Sequence, residues 1–319
     1  MSTPPISLQP IADAQHAWVA MLLCMRLPPP DGFLPRLFGE LGLGDALTGL
    51  PCVVPGPWTE AELAAATSGL GRPPGPELAL NVDSYEDLRR CHAAGLVWFA
   101  GNYALTPEPR QNPPRGTARH PLLLRLLALI THDGDSHEIE DVIKQDAQLS
   151  YQLLRLVNSV HFSLNHHIST FGQAIAILGR RQLQRWVQLL LYAQPAKGDR
   201  SPLLPRAALR AALMEELCGC SDGKCDNAFL VGMFSLLHLL LGMDMKELLA
   251  PLNLAEEVNK ALLERSGPLG PLIRIVDASE TNDLDVLTAA LAEAGLDAAA
   301  WNRALIRASH WAIRVSHEA

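Results

Sequence analysis

A mainly α-helical chain, with a smaller α/β portion ahead of a long multi-helix bundle, is what this sequence predicts. Three observations carry the prediction. Hydrophobic residues make up 48% of the 319 residues but aromatics only 5%, so the interior is to be built from leucine and alanine, which favour helices. Short apolar runs alternate with brief helical patterns at the start, whereas long helical patterns follow one another later. Between them lies 107-PEPRQNPPRGTARHP-121, whose five prolines exclude a continuous helix or a central strand. The chain therefore divides into an α/β domain at 1–106, a Pro-rich linker at 107–121 and a helical domain at 122–319.

In the first portion, 17–27, 50–56, 78–83 and 96–103 read as strands bounded by proline, glycine or polar turns. Helices are expected at 32–42, 59–71 and 84–95. Thr59 with Glu62, and Ser84 with Asp87, have capping-box spacing, and Gly71 and Gly95 fall where helices stop. The resulting β-α-β-α-β-α-β order implies parallel strands with covering helices, in a portion far shorter than the ~250 residues of a closed eight-fold barrel.

In the second portion, Leu149, Leu153, Leu156 and Val157 share one face of 146-DAQLSYQLLRLVNS-159, with Asp146 placed to cap its start. Further helices are expected at about 171–179 and 181–192, the latter with Leu183, Trp186, Val187, Leu190 and Leu191 on one face. Others follow at 203–217, 227–241, 245–249, 255–264, 268–280, 284–294 and 298–315.

A formal charge of −8 argues against broad nucleic-acid binding. Between residues 180 and 210, however, seven basic residues (Arg180, Arg181, Arg185, Lys197, Arg200, Arg206 and Arg210) face one acid, Asp199, so a local basic patch or a solvated helix face is expected. The start has no secretion-signal pattern and no segment approaches the ~20 apolar residues of a membrane span, so a cytoplasmic protein with reduced thiols and no membrane insertion is expected. Cys218, Cys220 and Cys225 lack the second ligand pair of a zinc site and read as thiols in a turn. The histidines of 161-HFSLNHH-167 read as a solvated loop, and Cys91 and His92, neighbours on a helix, point different ways. No nucleophile elbow, phosphate-binding glycine loop or dinucleotide fingerprint is present. The residues singled out for contact with a partner or a nucleotide phosphate are Arg180, Arg181, Arg185 and Trp186, with the Asn158-Ser159 doublet.

The run 138–191, with D-x-x-L-S-x-x-L-L-R-L-x-N-S at 146–159 and I-S-T-x-x-x-A-I-x-x-L-G at 168–179, resembles the HDOD domain, a bacterial signalling module related to metal-dependent HD phosphohydrolases. The resemblance continues through 228–280, which looks like the C-terminal half of proteins joining an EAL domain to an HDOD domain. In that light 99-FAGNYALTPEP-109 resembles the end of an EAL barrel, with Ala100 where the family carries glutamine, and residues 1–106 look like a truncated, degenerate EAL remnant. Catalytic HD relatives follow a histidine directly with aspartate; here His238 is followed by Leu239, and His238 is expected to be a packed or hydrogen-bonded core residue of a helix at 227–241. The resemblance implies a non-catalytic protein without cofactor. It would bind other signalling proteins in cyclic di-GMP-linked regulation. The alternatives are a cyclic dinucleotide sensor and a metal-dependent cyclic di-GMP phosphodiesterase.

Overall fold

The computed structural model describes residues 3–47, 49–56, 71–72, 77–107, 120–132, 134–146, 149–153, 157, 171–193, 201–219, 225–252 and 254–318. Six strands, β1 (Ser7–Ala12), β2 (Trp18–Cys24), β3 (Cys52–Val53), β4 (Gly71–Arg72), β5 (Leu78–Ala79) and β6 (Trp98–Ala100), form one sheet in the order β4-β3-β2-β1-β6-β5. Four expected strands are present, shortened to their apolar centres. β1 is absent from the sequence reading because Ser7, Gln9 and Pro10 break the apolar run, although all six of its residues are buried. Its presence corrects the all-parallel expectation: β1 runs antiparallel to both β2 and β6, while β2-β3, β3-β4 and β5-β6 are parallel. Proline is tolerated in this central strand because β6 pairs only with Ile11 and Ala12, so the missing N–H of Pro10 removes no bond on that side.

The sheet must curl. Arg72 and Leu78 lie on its opposite edges, yet the chain between them reaches at most about 22 Å, less than the roughly 24 Å across six flat strands. Alternate residues divide between its faces: Ile11, Ala20, Leu22, Val53 and Ala100 pack together on one, while Leu8, Met21, Leu23 and Cys52 join the main core on the other.

Short α1 (Phe33–Pro35), a following π turn (Arg36–Glu40) and α2 (Leu43–Ala46) replace the helix expected at 32–42. α3 (Tyr85–Ala93) begins as expected, the Ser84 hydroxyl accepting from the Asp87 amide at 3.0 Å and donating to its carboxylate at 2.7 Å. The helix expected at 59–71 and most of the linker at 107–121 lie outside the described residues, apart from β4 and the linker's ends.

The rest of the described residues are mainly helical: α4 (His120–Thr131), α5 (Ser136–Lys144), a segment at 149–153, α6 (Phe171–Tyr192), α7 (Leu203–Cys218), α8 (Cys225–Phe234), α9 (Leu237–Leu241), α10 (Met245–Leu249), α11 (Glu256–Glu264), α12 (Gly270–Ser279), α13 (Leu284–Glu293) and α14 (Ala298–Glu318). The Asp146 carboxylate accepts from the Leu149 amide at 2.9 Å, the expected cap. α6 contains both expected helices, broken at Gly179, whose φ of 75° and ψ of 156° are not helical. The single helix expected at 227–241 is instead two. Ser235 bonds back to the Gly232 carbonyl at 2.7 Å and accepts from Arg210 at 3.1 Å, and the chain turns there.

α7 is the axis of the fold. Its residues 203–214 are buried on every side, the signature of a core helix rather than an amphipathic surface one, and it packs on α8, α12 and α14. One continuous apolar core runs from Ile6, just before β1, to Ile313 in α14. The sheet is pinned to α14 by polar contacts as well: the Trp301 indole donates to the Ile6 carbonyl at 2.7 Å, and the Ile6 amide donates to Asn302 at 3.1 Å.

Candidate functional site

The strongest concentration of buried charge lies where the sheet meets the helices. Arg206 and Arg210, one turn apart on α7, are each only 5% exposed. This corrects the sequence reading that counted both in a surface patch: α7 is buried all round, so its cations are interior. Arg210 donates to both carboxylate oxygens of Glu280, one through Nε at 3.0 Å, and pairs with Asp277 at 3.0 Å. Asp277 in turn accepts from Arg265 at 2.8 Å. Burial alone would depress the Arg210 pKa, but the Glu280 and Asp277 carboxylates outweigh it and hold the guanidinium charged. Arg206 donates to the Gly101 carbonyl at 2.8 Å and has no carboxylate within ion-pair distance among the described residues. Burial therefore dominates, and its pKa is lowered.

The loop after β6 closes this seam. Gly101 brings its backbone against that of Val82 so closely that a Cβ would lie 2.1 Å from the Val82 carbonyl oxygen, and Asn102 donates to the Glu280 carbonyl at 2.6 Å. A cavity of about 10 Å³ remains, lined in part by Gln9, Asn102, Arg206 and Glu280. It is far smaller than the roughly 300–1,000 Å³ of sites that enclose a drug-sized ligand. Sequence reading missed this seam because its residues are spread from β1 to the end of α12. The one available signal was Arg206 and Arg210 in the otherwise apolar run 203–214.

The arginine cluster chosen from sequence lies on the second half of α6. Arg180 donates to the Gly134 carbonyl at 2.5 Å. Arg181 meets Asp226 at 2.5 Å and Glu215 at 3.3 Å, and Arg185 binds the same two carboxylates while stacking 4.3 Å above the Phe229 ring. Acids on α7 and α8 thus balance the cations that no nearby acid in sequence matched. Trp186 is half-buried against the main core. Asn158 and Ser159 lie outside the described residues, as do Lys197, Arg200, Cys220 and the histidines at 161–167.

His238 begins the short α9 and is half-buried rather than enclosed in a long helix. Its Nδ1 is buried and lies against the Ser235 backbone. Burial first, then the Arg265 and Arg210 charges, lower its pKa, while the Ser235 backbone opposes them. Among the described residues no group of three or more His, Cys, Asp or Glu side chains is arranged to hold a metal ion. No single described helix is long and apolar enough to cross a membrane.

Comparison with known proteins assigns the helical portion. Residues 120–265 match the HDOD domain family. The chain carries an HDOD domain. Cyclic di-GMP phosphodiesterase CdgJ of Vibrio cholerae is 30% identical over 240 residues, covering 73% of this chain and 55% of that protein. The uncharacterized protein YuxH of Bacillus subtilis is 26% identical over 212 residues, 65% of this chain and 52% of its own length. The chain thus spans about half the length of the curated relatives it matches. No solved structure matches. The similarity to CdgJ overturns the expectation of a non-enzymatic protein working only through protein contacts, because that HDOD relative is named for the hydrolysis of cyclic di-GMP.

Proposed function

We propose that this HDOD protein acts in cyclic di-GMP turnover, as a phosphodiesterase on that dinucleotide. The observation that carries the reading is the 30% identity with cyclic di-GMP phosphodiesterase CdgJ across 73% of the chain. The likeness of 99–109 to the end of an EAL barrel favours the same substrate, and we read the curled N-terminal sheet as a truncated EAL-like unit.

Phosphodiester hydrolysis of this kind uses metal ions to activate water and stabilise the leaving oxygen. The described residues do not fit such a centre, since no three metal-ligating side chains converge among them. The contribution of the described residues is therefore to binding. We assign Arg181, with half its side chain exposed, to contact with a substrate phosphate, with Arg180, Arg185 and Trp186 near it on α6; the Asn158-Ser159 doublet, outside the described residues, is kept as a candidate contact from its sequence. Glu215 and Asp226 already engage Arg181, so the contact is modest: Arg181→Glu raises KM severalfold and leaves kcat nearly unchanged.

The test is incubation of the purified chain with cyclic di-GMP and Mg²⁺ or Mn²⁺, with the linear dinucleotide followed by chromatography. Turnover supports the reading. Binding without turnover, measured by calorimetry, would reduce the protein to a sensor of the same ligand; neither binding nor turnover would refute the assignment.

A further inference from the structure

The seam cavity holds a buried guanidinium, that of Arg206, with no ion-pair partner among the described residues. Arg206 and Arg210 are buried guanidinium groups and Glu280 is the carboxylate enclosed with them, while Asp277 and Arg265 pair beside them with about a third of each side chain exposed. Arg210 and Arg265 take both carboxylates, which leaves the Arg206 guanidinium with the Gly101 carbonyl as its hydrogen-bond acceptor. A buried charge without a counter-charge is costly, and arginine does not escape by losing its proton. A second observation points into the same space. Gln9, 5% exposed, lines the cavity, and its Nε2 is buried without a hydrogen-bond partner.

We propose that this cavity is a binding site for one small monovalent anion of the halide class, held by Arg206 and the Gln9 amide. Its volume of about 10 Å³ sets the size: that is room for a single particle of roughly water dimensions. Chloride therefore enters with slight adjustment of the lining leucines, whereas sulfate or a nucleotide phosphate does not. Ser7 completes the polar wall, its hydroxyl sitting against the Cys24 thiol. Two lining groups oppose an anion. The Glu280 carboxylate is neutralised by Arg210, and the Asn102 Oδ1 acceptor is the weaker repulsion that the Arg206 charge must exceed.

Thermal unfolding of the full chain tests the site, with chloride replaced stepwise by gluconate at constant ionic strength and pH. The expected result is a midpoint that rises with chloride and saturates. Gln9→Glu supplies the missing negative charge from the protein itself, and is expected to raise the midpoint in gluconate and abolish the chloride dependence. A second measurement does not depend on that variant folding: crystals soaked in bromide are expected to show an anomalous peak beside Arg206. Midpoints that coincide in both salts, a variant that keeps the full chloride response, or a bromide soak with no peak in the cavity would each overturn the proposal. None of these readouts involves cyclic di-GMP, so the site stands or falls separately from the proposed activity.

Discussion

At the scale of single residues, close contact and buried charge decide what the fold tolerates. Gly232 on α8 lies so near α7 that an added Cβ would sit 2.4 Å from the Arg210 carbonyl oxygen and 2.5 Å from the Ala211 Cα. Backbone cannot yield as a flexible side chain does, so Gly232→Ala is expected to destabilise by about 1–3 kcal/mol in urea unfolding. Arg210→Met removes the partner of a buried carboxylate. The expected loss is roughly 3–5 kcal/mol, because Glu280 then loses the guanidinium that binds both of its oxygens. Histidine supplies a pH dependence with a definite sign. Burial lowers the His120 pKa below its ordinary 6.5, against the opposing bond to the Leu191 carbonyl. The unfolded chain therefore takes up the proton first on acidification, so this stability is present above about pH 6.5 and is lost as pH falls towards the lower folded pKa. His238 shifts in the same direction. Urea midpoints measured from pH 7 to 5 should fall for the native chain and fall less for His120→Gln, which keeps a donor for Leu191 but does not titrate.

At the scale of elements, the break inside α6 rests on one residue. Gly179 combines φ 75° with ψ 156°, a backbone region essentially confined to glycine. Gly179→Ala is expected to cost about 1–3 kcal/mol in thermal or urea unfolding while leaving the helical far-ultraviolet signal in place. This boundary was legible in sequence, since the apolar spacing lapses at Gly179 and resumes at Leu183. So were the Ser84 cap and the helices from α10 to α14, whose apolar faces are regular and whose ends carry local signals. β1 was not legible, because a strand buried on both faces by its neighbours need not alternate, and Ser7, Gln9 and Pro10 disguise it. The break at Ser235 was hidden for a different reason: it depends on Arg210, which is distant in sequence.

At the scale of the whole molecule, helix content could be read along the chain, whereas the seam depends on what folding brings together. Arg206 and Arg210 look like surface cations in a list of residues; only the packing of α7 under the sheet and α12 turns them into interior charges. The same packing ties Ile6, at the start of β1, to Trp301 in α14, and the sheet and the helices share one core. Function followed neither composition nor motif count. The absent HD pair at His238-Leu239 argued for lost chemistry, and similarity to a protein named a phosphodiesterase argues the other way. The central claim is tested most directly by a timed assay of the purified full chain with cyclic di-GMP and Mg²⁺ or Mn²⁺. Steady accumulation of the linear dinucleotide is the predicted result; intact cyclic di-GMP after prolonged incubation with both metals would contradict it.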